Sequence, residues 1–164
     1  MAHKFQQGIY KMHNPKKYIG KHKPKYRSGW ELKFMRVCDT HPNILAWASE
    51  AHRIPYRNPA TGKNTHYVPD FFIIYEDKDK NRKAEMIEIK PAGQTLAFAK
   101  SPMQKAAAIV NEAKWQAAKV YCKRQGVGFR VLTENELFNQ PKKRKNANTS
   151  SLSLIHIWRC RRRG

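Results

Sequence analysis

The chain has 164 residues, of which 33 are Lys or Arg and 12 are Asp or Glu, giving a formal net charge of +21 at pH 7. Hydrophobic residues make up 40% and aromatics 11%, enough to core one domain and too much for a wholly disordered chain. No run approaches the roughly 18 apolar residues of a membrane span. The N-terminus lacks the apolar stretch of a secretory signal, and three cysteines without a CxxC spacing argue against a disulfide framework or a cysteine zinc site. These features lead us to expect a soluble intracellular protein with no membrane contact and a polyanionic partner, nucleic acid first.

Residues 1–30 carry eight basic side chains and no acid, with Tyr10, Tyr18, Tyr26 and Trp30 interleaved. Prolines and glycines break any periodicity there, so the spacing predicts a basic extended arm over 1–27. Lys16, Lys17, Lys21, Lys23, Lys25 and Arg27 would lie along DNA phosphates. Ser28 can cap a helix over about 29–38, and Glu31 three residues later matches a capping box. Strands follow at about 44–48 and 53–57. Turn residues fill 58–64, and one apolar strand is predicted over 67–75. A polar hairpin loop over 76–83 leads to a strand at 86–90. Ser101 and Pro102 open a long helix to about Arg124, with an expected apolar stripe of Ala107, Ile109, Val110, Ala113, Ala117, Val120 and Tyr121. A strand at 129–132 and a helical turn from Thr133 complete the domain, taken as 28–140. The order predicts an α/β fold with a mixed central sheet flanked by helices.

Beyond the domain, Lys142-Lys143-Arg144-Lys145 lies in a basic tail over 141–151. Residues 152–164 include LSLIHIWRCRRR, which reads as a translated sequencing adapter and is set aside from fold reasoning. Without Arg159, Arg161, Arg162 and Arg163 the basic excess remains extreme.

Pro69-Asp70 and Glu88-Ile89-Lys90 sit on what read as consecutive strands. Alternation puts Glu88 and Lys90 on one face and turns Ile87 and Ile89 to the other. With the right register Asp70 lies beside Glu88. Two carboxylates that close repel, and a hard cation such as Mg²⁺ relieves the repulsion. Such an ion can activate water for attack on a phosphodiester, while Lys90 neutralises phosphate oxygens or orients the water. The plainer alternative is an exposed Glu88–Lys90 ion pair and a turn-capping Asp70.

Pro69-Asp70 with Glu88-Ile89-Lys90 resembles the PD-(D/E)xK nuclease motif. The run from about Tyr10 to Leu137 is similar to the head-completion nucleases of tailed bacteriophages. It carries that likeness in Asn14–Gly20, Tyr26–Glu31, Ile54-Pro55-Tyr56, Tyr67–Phe71, Glu88–Pro91 and Thr133-Glu134. The resemblance implies a restriction-endonuclease-like fold and a Mg²⁺-dependent endodeoxyribonuclease in which Mn²⁺ substitutes. Glu31, Asp70 and Glu88 would be metal ligands and Lys90 the catalytic cation. It further implies action in head completion before tail joining, in the virion or in host cytoplasm during assembly, with phage portal or neck proteins as further partners. For Glu31 the capping box is the competing role. Two rival functions remain at this point, an end-cleaving transposase subunit and a non-catalytic DNA-binding head or neck protein.

Overall fold

The computed structural model describes residues 6–138. The basic run at 142–145 and the adapter-like segment lie outside these residues. The expected architecture is present: a four-stranded mixed sheet with helices on both faces. Its strands are β3 (Ile44–Ser49), β6 (Phe71–Glu76), β7 (Arg82–Ile89) and β8 (Gly128–Leu132), adjacent in that order. β3–β6 and β6–β7 pair antiparallel, and β7–β8 pair parallel. The parallel step is made by a crossover through α2 (Pro102–Arg124).

Both sheet faces are covered. Phe71, Ile73, Tyr75, Ile87, Ile89 and Leu132 form one core with Phe34, Met35, Val37 and Cys38 of α1 (Gly29–Thr40). On the other face Met86 packs with Trp115, Ala118 and Cys122 of α2. Ile54, Tyr56 and Tyr67 join this second core from a hairpin of β4 (Ile54–Arg57) and β5 (Asn64–Tyr67). The strand alternation of β7 therefore decides which of the two cores each side chain enters.

Three expectations need correction. The single strand predicted over 67–75 is two: β5 ends at Tyr67 and β6 begins at Phe71. Pro69 lacks an N–H for a ladder, and the break leaves Asp70 at the mouth of β6. The buried face of α2 is Ala108, Asn111, Trp115, Ala118 and Cys122, whereas Ile109 and Val120 are exposed. Alanines run around much of this helix, so periodicity did not choose the face, and the bulky Trp115 did.

The third correction concerns the arm. Residues 6–27 are docked on the domain. β1 (Gly8–Ile9) pairs with β2 (Lys25–Tyr26), and Tyr18 bridges to Trp47 of β3. Two of the interleaved tyrosines are used internally: Tyr10 is buried and Tyr18 meets Trp47 edge-on at 4.7 Å between ring centroids. The latch is Asp39, fully buried on α1. Its carboxylate accepts hydrogen bonds from Tyr10 Oη at 2.9 Å, His13 N at 2.7 Å and Asn14 N at 2.9 Å. Asn14 Nδ2 donates to the Asp39 carbonyl at 2.9 Å. Burial pushes the Asp39 pKa up, but the donors from His13, Asn14 and Tyr10 outweigh it and hold the group below the ordinary carboxylate value. The latch therefore stabilises the fold above the ordinary carboxyl pKa and is lost as pH falls through the lowered one. Asp39→Asn should cost about 2 kcal/mol in urea denaturation at pH 7. The gap to the parent should shrink in acid, and limited proteolysis should then cut within 6–27.

Candidate active site

The register of β6 and β7 runs Phe71↔Ile87, Phe72↔Met86 and onward to Glu76↔Arg82. One step further along the same register places Asp70 opposite Glu88. A direct bond fixes the step, because Ile89 N donates to Asp70 Oδ2 at 2.8 Å. Asp70 alternates with Phe71 and Glu88 with Ile87 and Ile89, so both carboxylates leave the α1 core and share the other face. Glu88 is only 3% exposed. Its two oxygens are held apart by different partners: Tyr67 Oη donates to Oε2 at 2.8 Å, and Lys90 Nζ lies 3.2 Å from Oε1. Lys90, half-buried on the same face, is tied into the sheet by its N–H to Leu132 O at 3.0 Å.

The electrostatics follow from this placement. Burial raises the Asp70 pKa well above its ordinary value, and the Glu88 charge raises it further. The Ile89 N–H and the Lys90 ammonium pull the other way without overcoming them, while Glu31 adds to the rise. Burial and Glu88 also push the Tyr67 phenol up, so its hydroxyl stays protonated and serves as a donor.

Glu31 is placed differently from Asp70 and Glu88. Its Oε2 accepts from Arg27 N at 2.9 Å and its Oε1 from Ser28 Oγ at 3.2 Å, while Ser28 Oγ accepts from Glu31 N at 3.1 Å. This is the capping role, with the reciprocal bond reaching one residue further upstream than in a standard capping box. Among the described residues no three His, Cys, Asp or Glu side chains stand together closely enough to hold a metal ion. The structure thus joins Asp70, Glu88 and Lys90, and leaves Glu31 acting on Asp70 through its charge. Two carboxylates still fit a hard divalent ion, because Mg²⁺ is commonly held by one or two carboxylates together with waters and substrate phosphates.

Of the predicted phosphate contacts, Lys16, Lys21, Lys23 and Lys25 are exposed. Lys17 is not available in the same way, since its Nζ donates to His41 O at 2.7 Å. Arg27 is ion-paired with Glu50, whose own N–H donates to Asp70 O at 2.9 Å. Glu50 therefore borders the site, while the His52 ring packs against Phe72 at 5.0 Å. The residue the sequence reading missed is Tyr67, and its one signal was position: a tyrosine three residues before the Asp, at the end of a strand. Glu134 was also unassigned. Its Oε2 accepts from Ala92 N at 2.8 Å and pins the loop that leaves Lys90. A cavity of about 420 Å³ lies elsewhere, lined by Tyr75, Arg82, Lys83, Glu85 and Gly128 among others, and none of the site residues borders it.

The chain has known relatives. Residues 41–134 match the family described as TnsA-like endonuclease N terminal, and the chain belongs to that endonuclease family, one of PD-(D/E)xK type. The chain is also similar to the Head completion nuclease of Enterobacteria phage T4, with 37% identity over 136 residues covering 76% of this chain and 88% of that protein.

Two opposed carboxylates destabilise a fold that lacks a cation. Asp70→Asn keeps an oxygen for Ile89 N and removes one charge. Its melting temperature without divalent ions should therefore exceed that of the parent by a few degrees, roughly the effect of 1 kcal/mol, and adding Mg²⁺ should narrow the gap. Equal melting temperatures without metal would show that Asp70 and Glu88 do not strain one another.

Proposed function

We propose that this protein is a metal-dependent DNA endonuclease that acts in phage head completion, before tail joining. The observation that carries the reading is the β6–β7 register, which opposes Asp70 to Glu88 with Lys90 beside them. Asp70 and Glu88 would hold Mg²⁺, or Mn²⁺ in its place. When bound, the ion lowers the pKa of a water and offsets charge on the phosphodiester. Lys90 offers its ammonium to the non-bridging phosphate oxygens or to the attacking water. Glu31 keeps the N-terminus of α1 capped and adds negative charge near Asp70. It would join the ion as a ligand only by giving up its bonds to Arg27 and Ser28.

Lys16, Lys21, Lys23 and Lys25 would grip the backbone of double-stranded DNA without reading sequence. Their pinned main chain makes the charge a fixed surface, so less ordering entropy is lost on binding than with a free arm. The relative's name supports the head-completion setting; action in the virion or in host cytoplasm during assembly, with portal or neck proteins as further partners, is part of the proposal.

Plasmid nicking in Mg²⁺ tests the chemistry. Asp70→Asn, Glu88→Gln and Lys90→Ala should each lower the rate by about 10²–10³-fold or more. Glu31→Gln, which keeps an acceptor for the cap, should lose only about 10-fold. A parent that binds DNA tightly and leaves it uncut would instead make this a DNA-gripping protein. Replacing Lys16, Lys21, Lys23 and Lys25 by Ala should flatten the slope of log affinity against log salt by roughly 3–4. An unchanged slope would place the phosphate contacts elsewhere.

A further inference from the structure

We propose that Tyr67 is a positioning residue that orients the Glu88 carboxylate toward Asp70 and keeps it from being sequestered by Lys90. This inference rests on the reading of Asp70 and Glu88 as the cation's holders. Glu88 has two oxygens and two neighbours that want them. Lys90 Nζ sits 3.2 Å from Oε1, and Tyr67 Oη donates to Oε2 at 2.8 Å. A lysine ammonium carries three donors and sits on a flexible stem. Without the tyrosine, the carboxylate can turn both oxygens to the ammonium, and Lys90 then competes with any cation for the same group. With the tyrosine in place one oxygen is spoken for by a neutral donor, and the plane of the carboxylate is fixed. A neutral donor orients an anionic ligand without cancelling its charge, which suits a partner of a metal ligand.

The tyrosine is itself held from two sides. Its main chain is set by the β4–β5 register, in which Ile54 pairs with Tyr67. Its ring is buried in the α2 core, and Lys114 Nζ of α2 lies 6.0 Å from the centroids of both Tyr67 and Tyr56. The hairpin and the long helix, which carry none of the proposed ligands, thus converge on the hydroxyl that touches Glu88. Only Val68 and Pro69 separate Tyr67 from Asp70, and Pro69 fixes the turn. One short segment therefore delivers both a ligand and the orienter of the opposite ligand.

The test is Mn²⁺ binding to the metal-free protein, read from the electron-paramagnetic signal of free Mn²⁺ and compared across the parent, Tyr67→Phe, Tyr56→Phe and Asp70→Asn. Tyr67→Phe keeps the ring and its packing. It should weaken Mn²⁺ affinity about 10-fold and lower kcat while DNA affinity stays at the parental value. Tyr56→Phe trims the hydroxyl of a neighbouring tyrosine in the same core and should match the parent in Mn²⁺ affinity. In a Glu88→Gln background, adding Tyr67→Phe should produce no additional loss, since the tyrosine acts through that carboxylate. Parental Mn²⁺ affinity and kcat in Tyr67→Phe would overturn the proposal while leaving the metal site intact. If Tyr67→Phe and Tyr56→Phe lose affinity equally, along with their near-ultraviolet dichroism, the hydroxyl is merely structural and the proposal falls. Equal uptake of Mn²⁺ by the parent and Asp70→Asn would sink the metal site itself, and the role of Tyr67 with it.

Discussion

Two carboxyl groups face each other across adjacent strands, and the rest of this molecule can be understood from that confrontation. Asp70 and Glu88 are opposed by a register that every cross-strand pair from Phe71↔Ile87 to Glu76↔Arg82 enforces. A slip of β7 by one residue would turn Glu88 and Lys90 into the core of Phe34, Ile73 and Leu132, so the apolar core specifies the site as firmly as it specifies the fold. The repulsion that results is softened by the Ile89 N–H, by Lys90 and by Tyr67. Each is a donor, and none fully neutralises the pair. A buried site left short of positive charge suits the cation proposed above.

How much of this could be read from the chain depends on the kind of signal. The alternation around Met86–Lys90 is a period-two pattern in a strongly apolar run, and it predicted correctly that Glu88 and Lys90 share a face. The mixed sheet between helices followed from the order of such runs. What could not be read was set by partners distant in sequence. Tyr67 touches Glu88 across 21 residues, and Asp39 holds His13 and Asn14 across about as many. The stretch 67–75 misled because its apolar content is continuous while its backbone is not. Pro69 was the mark of the break, and its weight showed only once Asp70 was seen to need a strand mouth.

The basic N-terminal segment teaches a different lesson. Composition described its charge correctly and its conformation wrongly. On composition alone the segment suits an extended coil, yet a single buried carboxylate on α1 gathers three donors from it. The gain from satisfying Asp39 competes against the entropy of ordering the segment, and the burial of Tyr10 and the Tyr18–Trp47 contact tip the balance. Lysines that would have been flexible are presented on a fixed surface instead. Lys17 shows what docking consumes: its ammonium is spent on the His41 carbonyl and leaves the set available to a polyanion.

Glu31 brings these threads to one place. It sits in the first turn of α1, where the unpaired N–H groups and the helix dipole favour a negative side chain. It closes the cap with Ser28 and reaches the main chain of Arg27, the last residue of the docked basic segment. Arg27 pairs with Glu50, and Glu50 is bonded through its main chain to Asp70. A carboxylate in this position can satisfy a helix terminus and bias a neighbouring acid at the same time, because the first depends on hydrogen bonds and the second on charge alone. Replacing it by glutamine separates the two: the cap acceptor remains and the field at Asp70 changes. That separation is why a helix cap and a site acid need not be alternatives for one residue.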